Sequence, residues 1–194
     1  MKHEITRADI MPVTEYAKIR AERRKEIVAR KQLRRVAVGP YATVHFENFE
    51  TMWLQVQEML YIEKGGEAQL AGELEAYNPL IPKGAELVAT VMFEIDDPDR
   101  RKAMLGKLGG VEESAFLRVG GETIPGQSEE DLDRTTAEGK ASSVQFIHFA
   151  FTAGQKDLFR RPGTEVVLGF AHPEYSHMAL LSEASRAALA EDFD

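Results

Sequence analysis

Residues 86–95 read Glu-Leu-Val-Ala-Thr-Val-Met-Phe-Glu-Ile, and their apolar positions recur every second residue, at Leu87, Ala89, Val91, Phe93 and Ile95. Such alternation puts one side of a strand on a core and leaves the other for solvent or a covering layer. Before this stretch the apolar spacing is mostly helical, so the period changes here. That change predicts an α+β protein. Its sheet, antiparallel or mixed, spans about residues 86 to 172 and is covered by helices, with a helical N-terminal part packed on it.

Working toward the N-terminus, residues 50–64 carry Met52, Trp53, Val56, Met59 and Leu60 at helical spacing, the best core-facing stripe in the chain. A further helix follows Gly65-Gly66 and stops at Asn78-Pro79. Val36–Val38 and Thr43–Glu47 flank Gly39-Pro40 as two short strands, with Val44 and Phe46 inward and His45 and Glu47 outward. Residues 14–35 contain no Gly or Pro and form one long helix whose apolar content is thin, with Glu26 and Arg30 spaced for an i,i+4 pair.

Toward the C-terminus, Asp97-Pro98 caps a short helix. Gly120-Gly121 joins two strands in a tight hairpin. Residues 126–141 read as an acidic surface loop with a helical turn at Ser128-Glu-Glu-Asp. Val144–Thr152 is apolar on both faces and reads as a central strand. Thr152 opens a brief helix, 164–171 forms another strand, and Pro173 to about Asp192 reads as a final helix. Residues 1–194 are expected to form one compact unit with sub-parts 1–83 and 84–194. Residues 86–119 and 143–171 share a strand, short helix, strand order that hints at duplication.

Composition narrows the chemistry. The absence of cysteine excludes disulfides, thiolate nucleophiles and cysteine-held metal centres. No apolar run reaches the roughly 20 residues of a membrane helix. The opening MKHEITRADIMP lacks the apolar stretch of a signal peptide, so a cytoplasmic location is expected. The net charge of -8 hides an asymmetry: residues 14–35 hold nine Lys/Arg against three Glu, net +6, which leaves -14 for the rest.

Two clusters could carry function. His172-Pro-Glu-Tyr-Ser-His177 sits where a strand is expected to give way to a helix, so Glu174 and His177, at i,i+3, would share one helical face. With His172 and His148 they make a candidate divalent-metal site. The alternative is structural, with Pro173 in the first turn and Glu174 complementing the helix dipole. His148 lies on the strand face of Val144, Phe146 and Ala150, as a hydrogen-bonded core residue or, if the strand lines a pocket, an acid–base group. The second cluster is the basic helix. Arg20, Arg23, Arg24, Arg30, Lys31, Arg34 and Arg35 form a positive source for an acidic partner, for the chain's own acidic surface, or for phosphates. No groove-reading or stacking motif accompanies it, which argues against nucleic acid. Nucleotide-binding and serine-hydrolase motifs are absent, and no cofactor is evident.

The stretches RRVAVGP (34–40), FENFETMWLQVQEML (46–60), YNPLIP (77–82), GETIPG (121–126), EGKASSVQFIHF (138–149) and HPEYSHMALLSEASRAALAEDF (172–193) resemble, in order, the bacterial family catalogued as domain of unknown function 3501. The resemblance spans nearly the whole chain and brings no catalytic residues. It implies a link, through neighbouring genes, to a rubrerythrin-like protein and an iron–sulfur oxidoreductase, hence to oxidative-stress metabolism. The expected function is an accessory, partner-binding protein. The alternative is a small metal-dependent enzyme or ligand-binding protein centred on HPEYSH.

Overall fold

The computed structural model describes residues 2–128 and 140–194. Its first helix, α1 (Val13–Arg34), runs straight into the hairpin of β1 (Arg35–Val38) and β2 (Ala42–Glu47). Gly39 turns that hairpin at φ +68, a conformation that L side chains rarely adopt. The second helix, α2 (Phe49–Glu63), starts at a reciprocal cap. The Asn48 side chain accepts from the Thr51 N–H at 3.1 Å, and the Thr51 hydroxyl accepts from the Asn48 N–H at 3.0 Å. Helix α3 (Gly66–Tyr77) and strand β3 (Glu86–Phe93) follow.

After β3 come α4 (Pro98–Leu105), β4 (Ala115–Val119), β5 (Glu122–Pro125) and β6 (Gln127–Ser128). The chain then forms β7 (Val144–Ala150), α5 (Ala153–Arg160), β8 (Val166–His172), β9 (Tyr175–Leu180) and α6 (Glu183–Ala190). The Ser128-Glu-Glu-Asp turn falls largely outside the described residues, and its Ser128 is in β6.

The strands form two antiparallel sheets, ordered β1-β2-β3-β7-β6 and β5-β4-β8-β9. Their inner faces meet in the main core, where Val44, Phe46, Leu87 and Val91 of the first oppose Leu117, Val119, Leu168 and Phe170 of the second. The chain crosses between the sheets at Gly126. A Cβ there would lie 2.6 Å from Ile147 Cγ2, so only glycine lets β5 and β6 continue into one another. Phe151, Phe159 and Phe193, with ring centroids 4.7 to 5.6 Å apart, close one end of the sandwich.

The α+β expectation holds, and the alternation at 86–95 marks a strand of the five-stranded sheet. The single sheet expected over 86–172 is instead divided between two, β3, β6 and β7 in one and β4, β5 and β8 in the other, and β1 and β2 extend the first. His45 pairs with Thr90, and Glu47 with Val88, so the segments before and after residue 84 share one sheet. The two strand–helix–strand segments are disposed alike. Each sends its first strand, β3 or β7, to the five-stranded sheet and its second, β4 or β8, to the other.

Among the described residues, helices cover the outer face of the five-stranded sheet. Met52, Val56, Leu60, Leu70 and Leu80 pack on Val88 and Phe146, on the outer face of the five-stranded sheet. Fully burying each such side chain is worth about 1.5–3 kcal/mol. Helix α1 lies over α2 through Tyr16, Ile27 and Leu54. On the outer face of the four-stranded sheet Val167 and Gly169 of β8 are buried, whereas Met178 and Leu180 of β9 are 60% and 66% exposed. No helix among the described residues is long and apolar enough to cross a membrane.

Candidate functional site

The His172–His177 segment does not start a helix. Pro173 and Glu174 form a two-residue turn between β8 and β9, with His172 paired to Tyr175 across it. Beyond the turn the inward positions alternate, with Tyr175, His177, Ala179 and Leu181 less exposed than their neighbours. The helix begins only at Ser182, whose hydroxyl accepts from the Ser185 N–H at 3.0 Å. The reading of 173–192 as one helix, and the shared helical face of Glu174 and His177, are therefore overturned. The Ala- and Leu-rich sequence masked a turn and an edge strand whose alternation includes a histidine and an alanine.

Each histidine of that segment is engaged separately. His172 Nδ1 accepts from the Glu174 N–H at 3.2 Å, so its Nε2–H donates to the Gly109 carbonyl, also at 3.2 Å. The His177 ring stacks edge-on against Tyr175, centroids 4.6 Å apart, and rests on Gly39. His148 lies in the other sheet. Among the described residues, no three His, Asp or Glu side chains group as metal ligands.

His148 is not in the main core. Gln145, Ile147 and Phe149 take the inward positions of β7, so His148 faces outward with Phe146. Its Nδ1 lies 2.9 Å from Glu86 Oε2, and Glu86 Oε1 accepts from the Lys83 N–H at 3.1 Å. Burial pushes the Glu86 carboxyl up, but the His148 hydrogen bond and charge, helped by Lys83, bring it below the usual carboxylate range. The pair borders a cleft of about 510 Å³ with Glu113, Gly126, Gln127 and Ser128. A carboxylate that orients an imidazole is half of a proton-transfer device, and Ser128 lines the same cleft. Glu86, an ordinary strand residue in sequence, is the member that spacing could not reveal. The link is across strands, from β3 to β7.

The basic helix is largely matched within the chain. Arg20 makes two 2.8 Å bonds to Glu58, which also accepts from the Tyr16 hydroxyl at 2.6 Å. Arg23 pairs with Glu26 at 2.9 Å, Arg30 approaches Glu50 at 3.9 Å and Arg35 approaches Glu94 at 3.4 Å. Glu26 therefore pairs one turn back, with Arg23, and not with Arg30. Arg34 is buried, bonded to Asp192 and to the carbonyls of Phe46 and Glu47. Arg23 and Arg30 border a cleft of about 190 Å³ with Trp53 and Phe49, but Asp9, Glu26 and Glu50 line it too. Three carboxylates against two guanidiniums make a poor anion site. Arg24 and Lys31 complete the basic set, and Lys31 is half-buried.

The outer face of the four-stranded sheet is a feature that the sequence did not single out. Phe116, Gly169 and Met178 form one row across β4, β8 and β9, and Arg118, Val167 and Leu180 the next. Phe116 and Met178 close over Gly169, where a Cβ would lie 2.6 and 2.8 Å from them. Met178 and Leu180, at the β9 end of these rows, are the exposed apolar pair, and exposed apolar side chains grouped at a sheet edge mark interaction surfaces.

The family described as "Protein of unknown function (DUF3501)" matches residues 4–193. A solved structure described as a novel protein of unknown function from Burkholderia pseudomallei K96243 is similar throughout. It shares 34% sequence identity, covers 98% of this chain and 99% of its own, and superposes with a TM-score of 0.90. Among curated proteins none matches.

Proposed function

The chain belongs to the DUF3501 family of proteins of unknown function, and on that footing we propose that it is an accessory protein whose four-stranded sheet seats a protein partner. The observation that carries this is the pair Met178 and Leu180, two of the most exposed large apolar side chains, adjacent on one face of edge strand β9. Large exposed apolar side chains at a strand edge invite association unless something covers them. The basic helix, matched mostly to this chain's own carboxylates, is the lesser contributor.

The first partners to test are those implied by the family's gene neighbourhood, a rubrerythrin-like protein and an iron–sulfur oxidoreductase. Each is mixed with the full chain and binding is followed by calorimetry. Expected is saturable binding that Met178→Asp with Leu180→Asp weakens by about tenfold or more, a loss of about 1.4 kcal/mol. The chain's own stability should stay within about 0.5 kcal/mol, as for other surface changes. Binding of neither protein, or equal binding by the double variant, would overturn the assignment.

A further inference from the structure

Strand β9 has a free edge as well as an exposed face. It ends the four-stranded sheet, and its register with β8 runs from Tyr175 to Leu180 without a bulge. The Leu181 N–H donates to the Val166 carbonyl at 2.9 Å, which fixes the alternation of the ladder. Tyr175, His177 and Ala179 therefore turn their main-chain groups to β8, while Ser176, Met178 and Leu180 turn theirs outward. Among the described residues no strand pairs with that edge.

Natural sheets blunt such edges with a charge, a proline or a very short strand. The other edges among the described residues are blunted in these ways. Strand β1 is four residues long and opens with Arg35, β5 contains Glu122 and Pro125, and β6 is two residues long. Strand β9 is six residues long and holds neither a charged side chain nor a proline. A flat, uncharged edge of this length is a template on which a further strand adds.

The ends of β9 say which strand fits. Glu174, in the turn before it, is exposed. Ser182, just beyond it, caps the N-terminus of α6, the end of a helix that attracts negative charge. Glu183, the next residue, is matched by the Arg186 guanidinium at 2.6 Å. We propose that β9 pairs antiparallel with β9 of a second copy of this chain, with Met178 on the two-fold axis. Each Glu174 then falls opposite Ser182 of the other copy, at the N-terminus of its α6. Ser176 faces Leu180 and His177 faces Ala179, so no like charges meet along the strand. The contact is isologous and closes on itself. The row of Phe116, Gly169 and Met178 continues across the axis into the same row of the second copy, which joins the two exposed apolar pairs into one strip. This inference concerns the edge of β9 and goes beyond the partner reading, which concerns its outer face.

The test is sedimentation equilibrium of the full chain up to about 0.5 mM, because edge pairing alone covers less than the roughly 1,600 Å² of a standard interface and associates weakly. Expected is a monomer–dimer equilibrium. Amide exchange at Ser176, Met178 and Leu180 should slow as concentration rises, while that at Tyr175, His177 and Ala179 keeps its rate. Met178→Lys and Met178→Glu each set like charges opposite one another, with Cα atoms about 5.5 Å apart, and each should weaken the dimer by about tenfold. Mixing the two variants should restore it, since opposite charges then face each other, and that rescue also shows that both variants fold. A chain that stays monomeric throughout, variants that dimerise as readily as the parent, or a mixture that associates no better than either variant alone would each overturn the proposal. A monomeric chain leaves the partner reading standing, and a dimer that binds neither tested partner leaves this inference standing.

Discussion

Glu58 shows how one carboxylate fixes a helix. Its two oxygens accept from Arg20 at 2.8 Å and from Tyr16 at 2.6 Å, which ties α1 to α2 on the side where Tyr16 is fully buried. The Arg20 hydrogen bond holds the Glu58 carboxyl below its ordinary 4.5, with partial burial opposing and the Tyr16 bond assisting. A carboxyl whose folded pKa is depressed stabilises the fold above its unfolded pKa and loses that contribution as pH falls through the folded value. Glu58→Gln is therefore expected to cost about 1 kcal/mol at pH 7, modest because both side chains keep some solvent. That cost should shrink as pH drops below 4.5. Urea unfolding of parent and variant at pH 7 and in acid measures both quantities. A pH-independent difference would show that Glu58 acts by packing alone.

At the scale of elements, the strength of sequence patterning depended on period and on distance along the chain. The alternation of β3 and the 3.6-residue stripe of α2 were legible because each is long, regular and buried on one side. Strand β9 was not, because its inward positions are Tyr175, His177 and Ala179, and the Ala- and Leu-rich residues after it extend a false helical pattern. The basic character of α1 was legible too, but its counter-charges were not: Glu50, Glu58, Glu94 and Asp192 are dispersed across the later sequence. The same holds for the Glu86–His148 pair, which is 62 residues apart and meets only because β3 and β7 are neighbours.

Arg34 tests this view of α1. Its side chain is 6% exposed and that of Asp192 is 1% exposed, and the guanidinium also donates to the carbonyls of Phe46 and Glu47. It thus locks the end of α1 to β2 and to the C-terminal segment after α6. Burial pushes the Asp192 carboxyl up, and Arg34 is the main group drawing it back. Arg34→Leu is expected to cost about 3–5 kcal/mol, because it strands a buried carboxyl. Adding Asp192→Leu should recover part of that loss but not all of it, since the Phe46 and Glu47 carbonyls remain unpaired. A chemical-denaturation cycle over the four proteins reads the coupling. Additive losses would mean that the pair does not act as a unit.

The molecule as a whole is two sheets that must be held face to face along a seam where the β1–β2 turn meets β9. Apolar contact supplies most of that adhesion, with Tyr175 set among Phe93 and Phe170 at centroid distances of 5.6 and 6.0 Å. Its hydroxyl does something that packing alone cannot do. It accepts from the N–H groups of Tyr41 and Ala42 at 3.0 and 2.8 Å and donates to the Val38 carbonyl at 2.7 Å. Three main-chain groups of one sheet are thereby satisfied by one atom from the other, next to Gly39, where the His177 ring leaves no room for a Cβ. Tyr175→Phe keeps the ring and removes the atom, so buried main-chain groups lose their partner at about 1–3 kcal/mol each. The expected loss is about 2 kcal/mol or more, read as a shift in the urea midpoint at constant slope. Faster amide exchange at Tyr41 and Ala42 should accompany it, with exchange in α2 slowed or quickened only as far as global stability changes. Loss of global stability without local exposure at those two amides would mean that the hydroxyl contributes through packing, and that the seam is closed by apolar contact alone.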